Sequence, residues 1–142
     1  ASCLVGSEMC IRDRFNSAAI YEFLLIFLVA AKAEGISYFK NLSELNEKES
    51  PRLKWGSKIL NKMGIKNITT SHSIKIYGNP NLKINHKVIV KNFLKDHRVF
   101  MTSVVAALSF GGEWKIHDKD SINTSFPSFL KMMNYLGADV KY

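Results

Sequence analysis

One pattern recurs four times along the chain and limits its fold: an apolar helical segment, then a glycine, then a strand-like segment. The glycines are Gly35, Gly64, Gly112 and Gly137. The first and third, and likewise the second and fourth, lie about 75 residues apart, which is typical of a structural repeat. Helices that alternate with strands in repeated units predict an α/β (α+β) fold in which helices pack on sheets.

Hydrophobic periodicity and turn residues assign the elements of this repeat. We predict helices over 18–33, 51–63, 99–109 and 127–136, strands over 36–39, 65–70, 73–77, 87–92 and 114–117, and a last strand from Asp139. Residues 65–77 are predicted to form a hairpin. Segment 18–33 is apolar, but it is short for a membrane span and contains Glu22, so we interpret it as a buried core helix.

The first fourteen residues stand apart from the rest. Residues 3–14, CLVGSEMCIRDR, back-translate to a sequence that resembles the read-through of a transposase-type sequencing adapter. We therefore exclude 1–14 from the fold prediction and expect 15–142 to be a piece of a longer protein. Both cysteines, Cys3 and Cys10, lie in this stretch, so no disulfide or cysteine metal site is predicted for the remainder.

Charge is the next constraint. The net charge of +8 is of a kind found in nucleic-acid-binding proteins. The lysines are scattered, however, and aromatic residues do not interleave with them as a stacking platform requires. Beyond residue 14 only two arginines occur, Arg52 and Arg98. Because arginine binds phosphate or carboxylate through a planar fork, this pair indicates one anionic ligand held by both side chains.

Each arginine lies at a predicted helix start among other polar side chains. Lys48-Glu49-Ser50-Pro51 precedes Arg52, with Ser50 predicted as the N-cap and Pro51 as the first helical residue. Lys95-Asp96-His97 precedes Arg98, with Asp96 predicted as the cap. His97 could serve acid–base or phosphate chemistry, and Glu49 could exchange protons. The alternative is two solvated charged turns.

Several motifs together resemble the enolpyruvylshikimate-phosphate synthase family (3-phosphoshikimate 1-carboxyvinyltransferase). They are AKAEG at 31–35, KESPRL at 48–53, DHR at 96–98, TSFPSF at 124–129 and LGA at 136–138. The resemblance implies the C-terminal part of a two-domain enzyme, an inside-out α/β barrel of βαβαββ units with helices inside and sheets outside. About 15–92 would form one unit and 93–142 a truncated second one.

The resemblance also implies an activity. The family transfers the enolpyruvyl group of phosphoenolpyruvate to the 5-hydroxyl of shikimate 3-phosphate and releases phosphate, without metal or other cofactor. By motif, Arg52, Arg98 and His97 would bind phosphoenolpyruvate, Lys48 would reach shikimate 3-phosphate and the reacting oxygen, and Glu49 would exchange the methylene proton. A cytoplasmic enzyme is implied, monomeric when complete with its N-terminal domain, and without nucleic-acid or membrane partners.

Three positions depart from the family pattern. Pro51 stands where the family usually has aspartate. The family's catalytic aspartate falls on Tyr21, so either the adjacent Glu22 replaces it, or the base is absent, or the sequence near the adapter junction is in error. A lysine of the loop before SFP falls at Asp120, next to Lys119.

Three rival functions remain open at this point. The first is the sister enolpyruvyl transferase acting on a UDP-amino sugar, although no match to its cysteine-bearing loop is found. The second is a non-catalytic basic module that binds nucleic acid, which a steep salt dependence of binding would reveal. The third is a peptide anchored in a membrane by segment 18–33.

Overall fold

The computed structural model describes residues 22–141 and the backbone of two short strands before them, Cys3–Val5 (β1) and Glu8–Cys10 (β2). Residues 18–21 of the first predicted helix lie outside the described part. Two compact units form, Ala1–Lys83 and Ile84–Tyr142. The repeat boundary near residue 92 and the separate origin of 1–14 stay predictions.

The first unit is built on a mixed sheet with the strand order β1-β2-β3-β5-β4. Its later strands are Ile36–Phe39 (β3), Asn67–Thr69 (β4) and Ile74–Tyr77 (β5). β4 and β5 pair antiparallel, which confirms the predicted hairpin. β5 also pairs antiparallel with β3, while β2 runs parallel to β3.

One face of this sheet is buried because the strand residues alternate between apolar and polar. Phe39 lies opposite Ile74 in the register, and both side chains are buried. Tyr38 lies opposite Lys75 on the other face, where Tyr38 is exposed. A period of two places successive side chains on opposite faces, so one face is left to receive the helices.

Two helices supply the other large part of the apolar core of the first unit. They are Phe23–Lys32 (α1) and Arg52–Met63 (α2). In α1, the ring of Phe27 is fully buried with its centroid 5.4 Å from that of Phe39 on β3. The described part of segment 18–33 is therefore a core helix, as predicted. No helix among the described residues is long and apolar enough to cross a membrane.

The α1–α2 contact depends on the absence of a side chain at Gly56. A Cβ atom built there would lie 2.6 Å from Cδ2 of Phe27 and 3.2 Å from a methyl carbon of Leu24. Both distances are shorter than ordinary van der Waals contact. The two helices thus approach as closely as they do because position 56 has only hydrogen.

The ends of α2 correct one prediction and confirm another. Pro51, not Ser50, occupies the N-cap position, and Ser50 is buried one residue earlier. The Pro51 carbonyl accepts from the Trp55 N–H at 3.0 Å, so the helical hydrogen bonds begin one residue later than expected. Proline lacks an N–H and a polar side chain, so it starts the helix without a side-chain cap. Gly64 ends α2 with φ of 85°, as predicted.

We expect Gly56→Ala to lower the free energy of unfolding by about 1–2 kcal/mol, because overpacking against Phe27 outweighs the roughly 1 kcal/mol that alanine gains in helix propensity. Urea denaturation followed by circular dichroism measures this change. Lys54→Ala, at an exposed position of the same helix where the lysine makes no ion pair or hydrogen bond within residues 22–141, is the matched control and should alter stability by less than about 0.5 kcal/mol. Equal stability of Gly56→Ala and the parent would contradict the close helix approach.

The second unit contains a parallel strand pair joined through a helix. Lys87–Val90 (β6) pairs parallel with Glu113–Ile116 (β7), and His97–Phe110 (α3) connects them. Such a crossover is the usual connection between parallel strands. A 3₁₀-helix, Lys119–Ile122, and a short helix, Phe129–Tyr135 (α4), follow. All the predicted helices and strands up to α4 are thus present, with shifted ends.

The predicted strand from Asp139 is wrong, because residues 139–141 form no strand. The side chain of Asn134 bonds both backbone groups of Val140: its Oδ1 accepts from the Val140 N–H and its Nδ2 donates to the Val140 carbonyl, each at 3.0 Å. These are the groups that a neighbouring strand would otherwise pair. Gly137 still has positive φ, of 94°, so the glycine of the fourth repeat is present without its strand.

Candidate active site

The segment that leads into α2 carries three of the predicted site residues. A 3₁₀-helix, Ser43–Glu47, ends at Lys48, whose backbone is extended. The Lys48 ammonium lies 2.8 Å from the Glu44 carboxylate, four residues earlier, and its side chain is 18% exposed. This ion pair links the two ends of the short helix and holds the Lys48 ammonium close to the Glu44 carboxylate.

Arg52 is the most deeply buried charged side chain of this segment. It lies in the first turn of α2, its side chain is 1% exposed, and its Nη2 donates to Oε2 of Glu49. The Glu49 side chain remains 55% exposed, so the carboxylate contacts both the arginine and solvent. A buried guanidinium needs anionic partners to offset its lost hydration. Glu49 supplies one, and it is also the residue predicted to exchange a proton.

In the second unit, Asp96 organises the start of α3. Its side chain is fully buried, and its Oδ1 accepts from the backbone N–H of Arg98 at 2.9 Å. Just before it, Leu94 and Lys95 both have positive φ, of 56° and 55°. The chain therefore turns sharply and enters the helix at a capped start, as predicted for Asp96. His97 and Arg98 occupy the first helical turn, where both are half-buried.

The structure thus gathers the predicted residues into two groups, one in each unit. Lys48, Glu49 and Arg52 form the first, and His97 with Arg98 forms the second. That one ligand joins the groups stays a prediction. Sequence analysis missed the Glu44–Lys48 ion pair, although its four-residue spacing was a usable signal.

The structure also locates positions that depart from the family pattern. Glu22 is exposed and immediately precedes α1, and Tyr21 lies outside the described residues. Lys119 and Asp120 are exposed in the 3₁₀-helix of the second unit. Next to them, Ser121 is buried, and its hydroxyl oxygen has no hydrogen-bond partner among the described residues.

Solved structures define the class of protein. An EPSP synthase from Acinetobacter baumannii aligns with a TM-score of 0.72 and 32% identity, over 82% of this chain and 27% of that one. A second EPSP synthase structure from this organism aligns with a TM-score of 0.72 and 29% identity, over 87% and 28% of the two chains. The protein therefore has part of the enolpyruvyl transferase fold, which confirms the predicted α/β fold class.

Sequence comparison then gives the family. The model of EPSP synthase (3-phosphoshikimate 1-carboxyvinyltransferase) matches residues 12–133, and the chain belongs to this family. A 3-phosphoshikimate 1-carboxyvinyltransferase from Vesicomyosocius okutanii is 31% identical, over 97% of this chain and 34% of the relative. One from a Thermoanaerobacter species is 37% identical, over 82% and 27%. The chain spans about a third of the length of these relatives.

We expect Asp96→Ala to destabilise the second unit by about 1–2 kcal/mol, because the Arg98 N–H loses its cap at a buried helix start. Asp96→Asn keeps an acceptor oxygen at this position and should recover most of the loss. Urea denaturation monitored at α3 amides by hydrogen exchange separates this unit from the first. If the two variants were equally destabilised, the charge of Asp96 rather than its capping bond would be the important feature.

Proposed function

We propose that the complete protein transfers the enolpyruvyl group of phosphoenolpyruvate to the 5-hydroxyl of shikimate 3-phosphate and releases phosphate. Family membership supports this proposal, and the observation that carries it is the buried Arg52 at the start of α2, with Glu49 bonded to it. Arg98 lies in the first turn of α3. Two guanidinium forks match a substrate that carries both a phosphate and a carboxylate.

In the proposed addition step, the 5-hydroxyl oxygen bonds to C2 of phosphoenolpyruvate and gives its proton to the carboxylate of Glu22. C3 gains a proton from Glu49, so the double bond becomes a single bond to a methyl group. The product is a tetrahedral intermediate that still carries phosphate. Lys48 supports the shikimate phosphate substrate and the reacting oxygen, and His97 lines the phosphoenolpyruvate side.

Elimination reverses the proton transfer at C3. A C3 proton returns to Glu49, the carbon–carbon double bond re-forms, and the C2–O bond to phosphate breaks. Arg52 and Arg98 stabilise the negative charge on the leaving phosphate and on the carboxylate. Because Glu49 is both bonded to Arg52 and half-exposed, it can reach a ligand while its charge is balanced.

Glu22 is the proposed acid–base residue in place of the family's aspartate. It is a carboxylate at the start of α1, next to Tyr21, on which that aspartate falls. Recovery of the upstream coding sequence tests this assignment together with the proposed adapter origin of 1–14. An aspartate in the native sequence at position 21 would replace Glu22 in the proposal.

The decisive assay measures phosphate release from phosphoenolpyruvate by the complete protein, with and without shikimate 3-phosphate. Release that requires shikimate 3-phosphate is the expected result. Release that requires a UDP-amino sugar instead would overturn the substrate and leave the enolpyruvyl chemistry in place. No release with either acceptor from a folded protein would overturn the proposed activity. A cytoplasmic, monomeric enzyme is part of the same proposal.

Arg98→Lys in the complete protein should lower kcat/KM about 30-fold, a loss of about 2 kcal/mol in transition-state stabilisation, because a point charge replaces a bidentate fork. The phosphate-release assay gives the value. Lys95→Gln removes a neighbouring exposed cation and serves as the control for general electrostatics. If both variants lost activity equally, Arg98 would have no specific role.

Residues 15–142 alone should show no shikimate 3-phosphate-dependent phosphate release. The relatives are about three times longer, and we propose that the missing part supplies the rest of the substrate site. The same assay is used, after circular dichroism has shown that the piece is folded. Turnover by this piece would refute the proposal of a site shared between two domains.

A further inference from the structure

A polar cleft lies in the first unit beside the start of α2, and none of the proposed site residues lines it. We call it the hairpin cleft, and its volume is about 370 Å³. Its lining combines the 3₁₀-helix, one side of α2 and the β4–β5 turn; the residues are Asn46, Pro51, Lys54, Ser57, Thr69, Thr70 and Ser71. This volume is within the range of clefts that hold small-molecule ligands.

Hydrogen bonds between its walls hold the hairpin cleft open. The Asn46 side-chain amide donates to the Ser71 carbonyl at 3.1 Å. The Leu42 N–H donates to the His72 carbonyl at 2.8 Å. Within the turn, the Thr70 hydroxyl oxygen accepts from the Ser73 N–H at 3.0 Å. The turn is thereby fixed to the segment before α2. The site is therefore preformed, and ligand binding would cost little conformational entropy.

The charge of the hairpin cleft is purely positive. Among the described residues that line it, Lys54 is the only charged one and none carries a carboxylate. Within residues 22–141, Lys54 makes no ion pair or hydrogen bond. Pro51, which also lines the cleft, carries no charge. A lysine without a carboxylate partner is a point-charge site for phosphate.

The hydroxyl groups of the hairpin cleft determine a second property that a matching ligand must have. Ser57 and Thr69 both donate to the side-chain oxygen of Asn67, at 2.7 and 3.1 Å. Their protons are used, so toward the cleft these hydroxyl oxygens can only accept. A ligand that matches them therefore brings its own donors. One molecule that suits the lysine and these oxygens carries a phosphate and free hydroxyl groups.

We propose that the hairpin cleft is an accessory site for a small phosphorylated polyol. Lys54 binds its phosphate, and the hydroxyl oxygens of Ser57 and Thr69 accept from its hydroxyl groups. This inference does not rest on the proposed enolpyruvyl transfer, since the cleft contains none of the residues assigned to that reaction.

Glycerol 3-phosphate is a suitable probe, and backbone amide chemical shifts of the β4–β5 turn in the complete protein are the readout. These amides report on the cleft itself, so phosphate bound elsewhere does not mimic the signal. We expect saturable shifts at 70 and 71 with glycerol 3-phosphate, and none with glycerol. Glycerate, which carries a carboxylate, separates phosphate recognition from general anion binding and should bind more weakly.

Variants assign the contacts. Lys54→Gln should weaken binding about tenfold, as loss of a charge-assisted contact predicts. Pro51→Asp should weaken it at least as much, because it places a carboxylate in the lining of the cleft while aspartate caps α2 well and keeps the fold. Lys58→Gln removes an equal charge one turn along α2, where the ammonium lies over the Trp55 ring, and should bind like the parent.

Several outcomes would overturn the proposal. Shifts that rise linearly without saturation would show non-specific association. Equal weakening by Lys58→Gln and Lys54→Gln would show a general effect of positive charge. Equal affinity for glycerol 3-phosphate and glycerate would refute the phosphate class. Absence of saturable shifts at 70 and 71 in a protein with normal phosphate release would overturn the accessory site and leave the proposed enolpyruvyl transfer in place.

Discussion

The guanidinium of Arg52 is a cation with almost no access to water, and the first unit is arranged around it. Its charge is balanced by Glu49, three residues earlier and outside the helix. The backbone from 49 to 52 places the Glu49 carboxylate where it can form this ion pair, and a buried guanidinium needs such anionic partners. Pro51 restricts that same backbone, so a proline is compatible with a position where a polar cap would have been expected.

In the second unit, a different interaction fixes the helix start that carries the arginine. There the first turn of α3 is fixed by the buried Asp96 carboxylate, which accepts from the backbone N–H of Arg98. The Arg98 and His97 side chains remain half-buried at a fixed helix start. Each arginine thus lies at a helix start beside a carboxylate of a neighbouring residue, Glu49 in the first unit and Asp96 in the second.

Most of the fold could be predicted because its signals are local. Apolar periodicity and glycines located α1 to α4 and β3 to β7, and the cap at Asp96 followed from residue type alone. The wrong prediction of a last strand arose where a side chain competes with the backbone. Asn134 bonds the groups of Val140 that a strand would use, and no propensity reports such a contact. The site residues came from spacing and resemblance, whereas their partners, such as Glu44 for Lys48, required the folded backbone.

The close approach at Gly56 has a consequence for how sequences of this kind diverge. Any side chain at position 56 must share space with Phe27, which in turn packs on Phe39. A larger residue at 56 crowds the ring at 27, and a smaller residue at 27 alone leaves a cavity. The two positions are therefore coupled. Along a lineage, substitutions at 27 and 56 should occur together, because each change compensates the cost of the other.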